Sequence, residues 1–219
     1  MCFSATASFT AAAVTGSLGL FALARTRQMH DLPLAATPVL FAAQQVIEGL
    51  IWLRLPMGAH GSIGGPLVLS YLIFAQVFWP IYAPVAVWRL EPDPGRRRLM
   101  LPWIPLGAAV SGYLLWGLLH SLVTATAGDM HVVYGTDQVH MTLVGAAYLA
   151  VVSVPLFMSS YRSVLVFGAI VTVGWLVAYA AYLAAFQSVW CFFAAAASVA
   201  VIGHFEVVRW QPLRLRLGA

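Results

Sequence analysis

Residues 32–54 read LPLAATPVLFAAQQVIEGLIWLR. The stretch carries a single carboxylate, Glu48, and a single cation, Arg54, at its very end. At about 1.5 Å of rise per residue, a helix of this length crosses a hydrocarbon core about 30 Å thick. Outward from it the same pattern recurs. Hydrophobic residues make up 62% of the 219-residue chain and charged residues 8%, against roughly a quarter charged in soluble domains. Mean hydropathy is +0.88. So few charges do not cover the surface of a soluble fold of this size, so the chain reads as an integral membrane protein.

Seven apolar stretches are long enough to span: about 4–25, 32–54, 66–89, 100–124, 140–158, 163–185 and 188–208. Polar or turn-forming breaks separate them, RTRQMHD after the first, MGAHGSIGG after the second, EPDPGRRR after the third, AGDMHVVYGTDQ after the fourth and SSYRS after the fifth. The sixth break, near FQS, is the weakest. The expected fold is an all-α, single-domain, seven-transmembrane-helix bundle over residues 1–219. The opening has no basic segment ahead of its apolar run, so the first stretch is expected to remain in the mature protein. Pro80 and Pro84 inside the third span predict a kink whose freed carbonyls find donors on a neighbouring helix.

The basic balance, with an isoelectric point near 9.4, comes from arginine alone and bears on topology before nucleic acid. With the N-terminus outside, Arg25, Arg27, Arg89, Arg96, Arg97, Arg98, Arg162, Arg209, Arg214 and Arg216 all fall in inner segments. Arg54 alone falls outside, where it can snorkel to headgroups. This is a strong positive-inside pattern and predicts N-out, C-in. Trp52, Trp79, Trp88, Trp103, Trp190 and Trp210 lie toward predicted span ends, as interfacial anchors do. Glu91, Asp93 and the arginines behind them read as a solvated inner loop, or as a contact with anionic lipids.

A carboxylate inside a span costs about 2.5–3.5 kcal/mol on insertion scales, so Glu48 needs a reason. Gln44 stands one turn before it and Gln45 three residues before, which puts all three toward one side of the helix. Glu48 lies roughly 9 Å below the outer end of its span. Cys191, His120, His140 and Cys2 reach a similar level on their own spans. The residue types permit several chemistries. Cys2 and Cys191 can form a disulfide on the oxidising side, or serve as thiolates in a site completed by Glu48 and His120. Zinc is then the first expectation and copper the second, with Cu(I) favoured by reduced thiols. Gln44, Gln45, Gln76 and His140 line the expected pocket. His30, His60 and His131 fall in loops. Zinc-protease, P-loop and G-x-S-x-G motifs do not occur, and with no lysine there is no retinal Schiff base.

MCFSATASF, LPLAATPVLFAAQQVIEGLIWL and SVWCFFAAAAS together resemble a functionally uncharacterised family of small bacterial membrane proteins that open with Met-Cys-Phe-Ser-Ala. The resemblance takes in Cys2, Ser4, Gln45, Glu48 and Cys191 as motif members and implies no activity for any of them. Two functions remain open. One is a metal-dependent hydrolase in the bacterial cytoplasmic membrane, in which the metal activates water against a small or lipid substrate and Glu48 is ligand or general base. The other is a non-enzymatic protein that binds or conducts a small ligand or a proton at Glu48, with Cys2–Cys191 as a structural disulfide. Expected partners are membrane lipids and a small molecule or lipid, with no nucleic acid.

Overall fold

The structure is a computed structural model that describes residues 4–55, 62–128, 131–136, 141–181, 186–198 and 200–203. It is mostly helical. The helices are α1 (Ala5–Arg25), α2 (Leu32–Arg54), α3 (Pro66–Leu72), α4 (Trp79–Leu90), α5 (Pro94–Met100), α6 (Trp103–Leu119), α7 (Met141–Phe157), α8 (Arg162–Ala181) and α9 (Phe186–Ala197). A π-helical turn, Ile73–Phe78, joins α3 to α4 without a break. Among the described residues, five helical stretches are long and apolar enough to cross a membrane: Ala5–Arg25, Leu32–Arg54, Pro66–Leu90, Pro94–Leu119 and Arg162–Ala181. Leu143–Phe157 and Ser188–Gly203 are apolar but shorter. Large apolar side chains such as Leu20, Leu53, Trp116 and Val173 are more than half exposed, on surfaces that suit lipid rather than water.

The α1–α2 pair shows how small residues bring helices together. Ser4 caps α1 by accepting from the Ala7 N–H at 3.2 Å. Its buried stripe is Ser8, Ala12, Thr15, Gly19 and Ala22, spaced by three and four residues. A Cβ at Gly19 would stand 2.6 Å from the Val39 backbone nitrogen, so only glycine permits this approach.

The kink expected at Pro80 takes the form of the π-helical turn just before it. Pro80 has no N–H to give to the preceding turn. The Ala75 carbonyl, five residues earlier, accepts the Tyr148 hydroxyl at 2.7 Å, and the Val77 carbonyl accepts Ser111 Oγ at 2.6 Å. The Tyr148 hydroxyl thus replaces the donor that Pro80 lacks, and Ser111 adds a bond to the same turn. Gly107 on α6 lies so close that a Cβ there would stand 2.0 Å from the Pro80 carbonyl oxygen.

The described residues also include a sheet that no span or break predicts. Strands β1 (Ser62–Gly64), β2 (Thr124–Ala127) and β3 (Val132–Gly135) pair antiparallel in that order, with Ile63 opposite Ala125 and Ala125 opposite Tyr134. They join the α2–α3 connection to the α6–α7 connection. In β3, Val132 and Tyr134 are buried while Gly135 is exposed, the period of two expected of a half-covered strand. The fourth span is therefore shifted. It begins at Pro94, where Asp93 Oδ1 accepts the Arg96 N–H at 2.7 Å, and ends at Leu119 rather than near 124.

At the opposite, arginine-bearing end, Glu91 is not solvated but 2% exposed. Its Oε2 accepts the Ser160 N–H at 2.8 Å, and its Oε1 accepts the Asp93 N–H at 3.1 Å and the Ser160 hydroxyl. Arg96 Nη1 donates to the Met158 carbonyl at 2.9 Å. The α4–α5 and α7–α8 connections are locked together by these bonds. Trp79 and Trp190 also differ from expectation. Both are 5% exposed and sit inside the bundle rather than at an interface.

Candidate functional site

The site is built on the polar face of α2. Gln44 is fully buried, and both ends of its amide are used. Its Nε2 donates to Cys191 Sγ at 2.8 Å, and its Oε1 accepts the Trp79 indole N–H at 3.0 Å. Three helices, α2, α4 and α9, meet at this one amide. Trp79 is held by stacking on Phe41, with ring centroids 4.1 Å apart.

One turn along α2 is Glu48, also fully buried. Its Oε1 accepts the Tyr134 hydroxyl at 3.5 Å, a long bond that brings β3 onto the carboxyl. The Tyr134 ring stacks on Tyr71 of α3 at 4.5 Å and 12°. Tyr71 and Glu48 both lie within electrostatic reach of the Cys191 thiol. The sheet therefore acts as a cap whose one phenol enters the cluster from above. Gln45 is fully buried beside them, and Gln76, 5% exposed, lies in the π-helical turn.

Two cavities adjoin this cluster. The first, about 30 Å³, lies in the ring of α2, α4, α7, α8 and α9 and reaches from Leu34 to Phe41, Trp79 and Cys191. The second, about 60 Å³, is bounded by Gln76, Leu114, Tyr148, Trp175, Trp190 and Cys191. Trp190 and Cys191 form a wall common to both. A water-sized group needs about 10–15 Å³ on this measure, so the cavities hold about two and four such groups. Both linings are almost wholly apolar.

The sequence-predicted residues divide clearly. Gln44, Glu48 and Cys191 come together, Gln45 lies on the same helix face, and Gln76 borders the second cavity. His120 does not join them. It is exposed at the end of α6, with Nδ1 2.8 Å from the Trp116 carbonyl of its own helix and its ring against Trp116. Cys2 and His140 lie outside the described residues. Cys191 is a free, buried thiol, and among the described residues no three of His, Cys, Asp and Glu gather as a metal site. Tyr71, Tyr134 and Trp79 were not foreseen as site residues. The short run Val132–Tyr134, β-branched and aromatic and flanked by turn-forming residues, was the available signal for a strand carrying Tyr134, though not for its partners.

A family of unknown function, DUF6629, matches residues 1–214. The chain belongs to this family. No curated protein and no solved structure matches it. The DUF6629 match takes in every residue of the cluster as well as Cys2 and His140, so the site belongs to the matched region from end to end.

Proposed function

We propose that this DUF6629 protein is a multi-pass protein of the bacterial cytoplasmic membrane that binds a small ligand or a proton at Glu48. The observation that carries this reading is the buried Glu48–Tyr134 bond, linked through Cys191 and Gln44 to two small apolar cavities. An ionisable group inside a membrane bundle is a functional candidate by default. Here it is surrounded by groups that both donate and accept: the phenols of Tyr71 and Tyr134, the amide of Gln44 and the thiol of Cys191. Such a set can follow a change of protonation or take a small hydrogen-bonding head, while the cavities take a few apolar atoms. Their volumes are far too small for a lipid tail.

Seven spans with the N-terminus outside are part of the proposal. The shorter helices Leu143–Phe157 and Ser188–Gly203 complete the five long ones, and among the described residues the arginines other than Arg54 lie at or near helix ends away from the sheet. The capped site then faces the outer side. The proximity of Glu48 to the Cys191 thiol supports a second reading, a metal-dependent hydrolase with zinc or copper, which requires Cys2 as a further ligand.

The test is a pH titration of tryptophan fluorescence on detergent-purified protein, since Trp79 is one bond from Gln44. The wild type is expected to show a transition that Glu48→Gln abolishes and Tyr134→Phe shifts. A transition identical in all three proteins refutes the Glu48 assignment. Elemental analysis of the same sample decides the second reading: about one metal per chain, lost in Cys191→Ser, supports it, and no metal rules against it.

A further inference from the structure

The arginine-bearing end carries a surface that the proposed ligand site does not use. Arg96, Arg97 and Arg98 are all exposed on α5. On the same short helix Met100 is fully buried, while Leu99 is 65% exposed and Leu101, just after it, 46%. A turn that points leucines outward beside arginines, at the start of the membrane-length stretch Pro94–Leu119, suits the boundary between acyl chains and headgroups.

Among the described residues, the cationic charge there is only partly compensated. The two nearby carboxylates are already committed to backbone donors: Glu91 to Ser160 and Asp93, and Asp93 to the Arg96 N–H. Among the described residues, neither Arg97 nor Arg98 has an ion pair. The Arg97 guanidinium carbon lies over the Trp88 ring, 4.4 Å from its centroid. A guanidinium held over an aromatic ring still presents N–H groups for a forked contact with phosphate. The locked connections bring Arg162, two residues beyond Ser160, to the same end of the bundle, where it too is exposed.

We propose that Arg97, Arg98 and Trp88 form a binding site for the phosphate headgroup of an anionic phospholipid, with Leu99 and Leu101 entering its acyl layer. The occupant follows from charge complementarity at a surface that is apolar on one side and cationic on the other. A soluble phosphate satisfies the arginines but leaves the leucines in water.

The experiment reconstitutes the full chain in nanodiscs of equal phosphatidylglycerol and phosphatidylcholine and measures retained lipid by native mass spectrometry. The wild type is expected to retain phosphatidylglycerol in preference. Each arginine removed in Arg97→Gln and Arg98→Gln lowers the preference about fivefold, while Arg54→Gln at the opposite end leaves it unchanged. Arg97→Lys keeps the charge but loses the fork and the stacking, so it falls between wild type and Arg97→Gln. This variant carries the test if the glutamine variants do not fold. Equal retention of the two lipids by the wild type overturns the proposal, as does a preference that survives in the arginine variants. Full displacement of the lipid by millimolar inorganic phosphate also overturns it and indicates a soluble-anion site.

Discussion

Glu91→Gln is the substitution that most directly tests how the arginine-bearing end is held. The wild-type carboxylate accepts three hydrogen bonds, from the Ser160 N–H, the Asp93 N–H and the Ser160 hydroxyl. The best placement of a glutamine amide keeps its oxygen toward the Ser160 N–H. The new NH2 group then donates to the Ser160 hydroxyl, which can turn to accept, but faces the Asp93 N–H donor to donor. One bond is lost outright, and the other two lose the charge of the acceptor. Hydrogen bonds to charged groups contribute about 1.5–3 kcal/mol each. Ser160 is exposed, so water replaces part of the loss, and the expected destabilisation is about 2–3 kcal/mol. At about 2–4 °C per kcal/mol for a chain of this size, the thermal midpoint should fall by about 4–12 °C at fixed detergent and protein concentration. Ser160→Ala alone should shift it less, and the double variant should show a coupling of about 1 kcal/mol or more. A shift below 1 °C for Glu91→Gln, with no coupling to Ser160, would show that the carboxylate does not lock the two connections.

Gly107→Ala should be among the least tolerated small substitutions, because the new methyl meets the Pro80 carbonyl oxygen at 2.0 Å and a backbone atom cannot yield cheaply. Gly112→Ala, five residues along the same helix with nothing within 4 Å, should leave the yield of monodisperse protein unchanged; equal tolerance of both would disprove the close α4–α6 approach. Burial raises the Asp31 carboxyl above its ordinary value, and the charge of His30 opposes that rise only in part. A raised acid favours the folded state below its ordinary value, and that contribution is lost as pH rises through the folded value. Asp31→Asn should therefore gain in thermal midpoint relative to wild type at neutral pH and lose that gain near pH 3, a difference absent if Asp31 is fully solvated in the folded protein.

Much of the architecture is legible in the sequence, for reasons that hold before any packing. The third span, expected at 66–89, is helical over Pro66–Leu90, and the second over Leu32–Arg54 as expected. Apolar length alone sets such limits, because backbone groups in lipid must be bonded within their own segment. Boundaries failed where another partner competed. The fourth span was expected to reach 124, but Thr124–Ala127 pairs with Ser62–Gly64 and Val132–Gly135 instead. These partners lie about 60 residues apart in the chain on one side and a tight connection away on the other, so no local pattern announces them. Glu91 reads as a loop carboxylate because two of its three hydrogen bonds come from Ser160, 69 residues away.

The same division runs through the site. Composition and periodicity by themselves determine that this is a membrane protein with a polar face on its second apolar stretch, since Gln44, Gln45 and Glu48 must share one side of a helix. Depth in the membrane brings Cys191 to their level. Depth did not place His120, because the span ends at Leu119 rather than near 124, which leaves His120 exposed at the helix end and turned back on Trp116. Only the tertiary structure decided the azimuth of each helix and the entry of Tyr71, Trp79 and Tyr134. Those choices are made by packing between helices and by a sheet formed from two distant connections. Both depend on contacts that one-dimensional spacing does not encode.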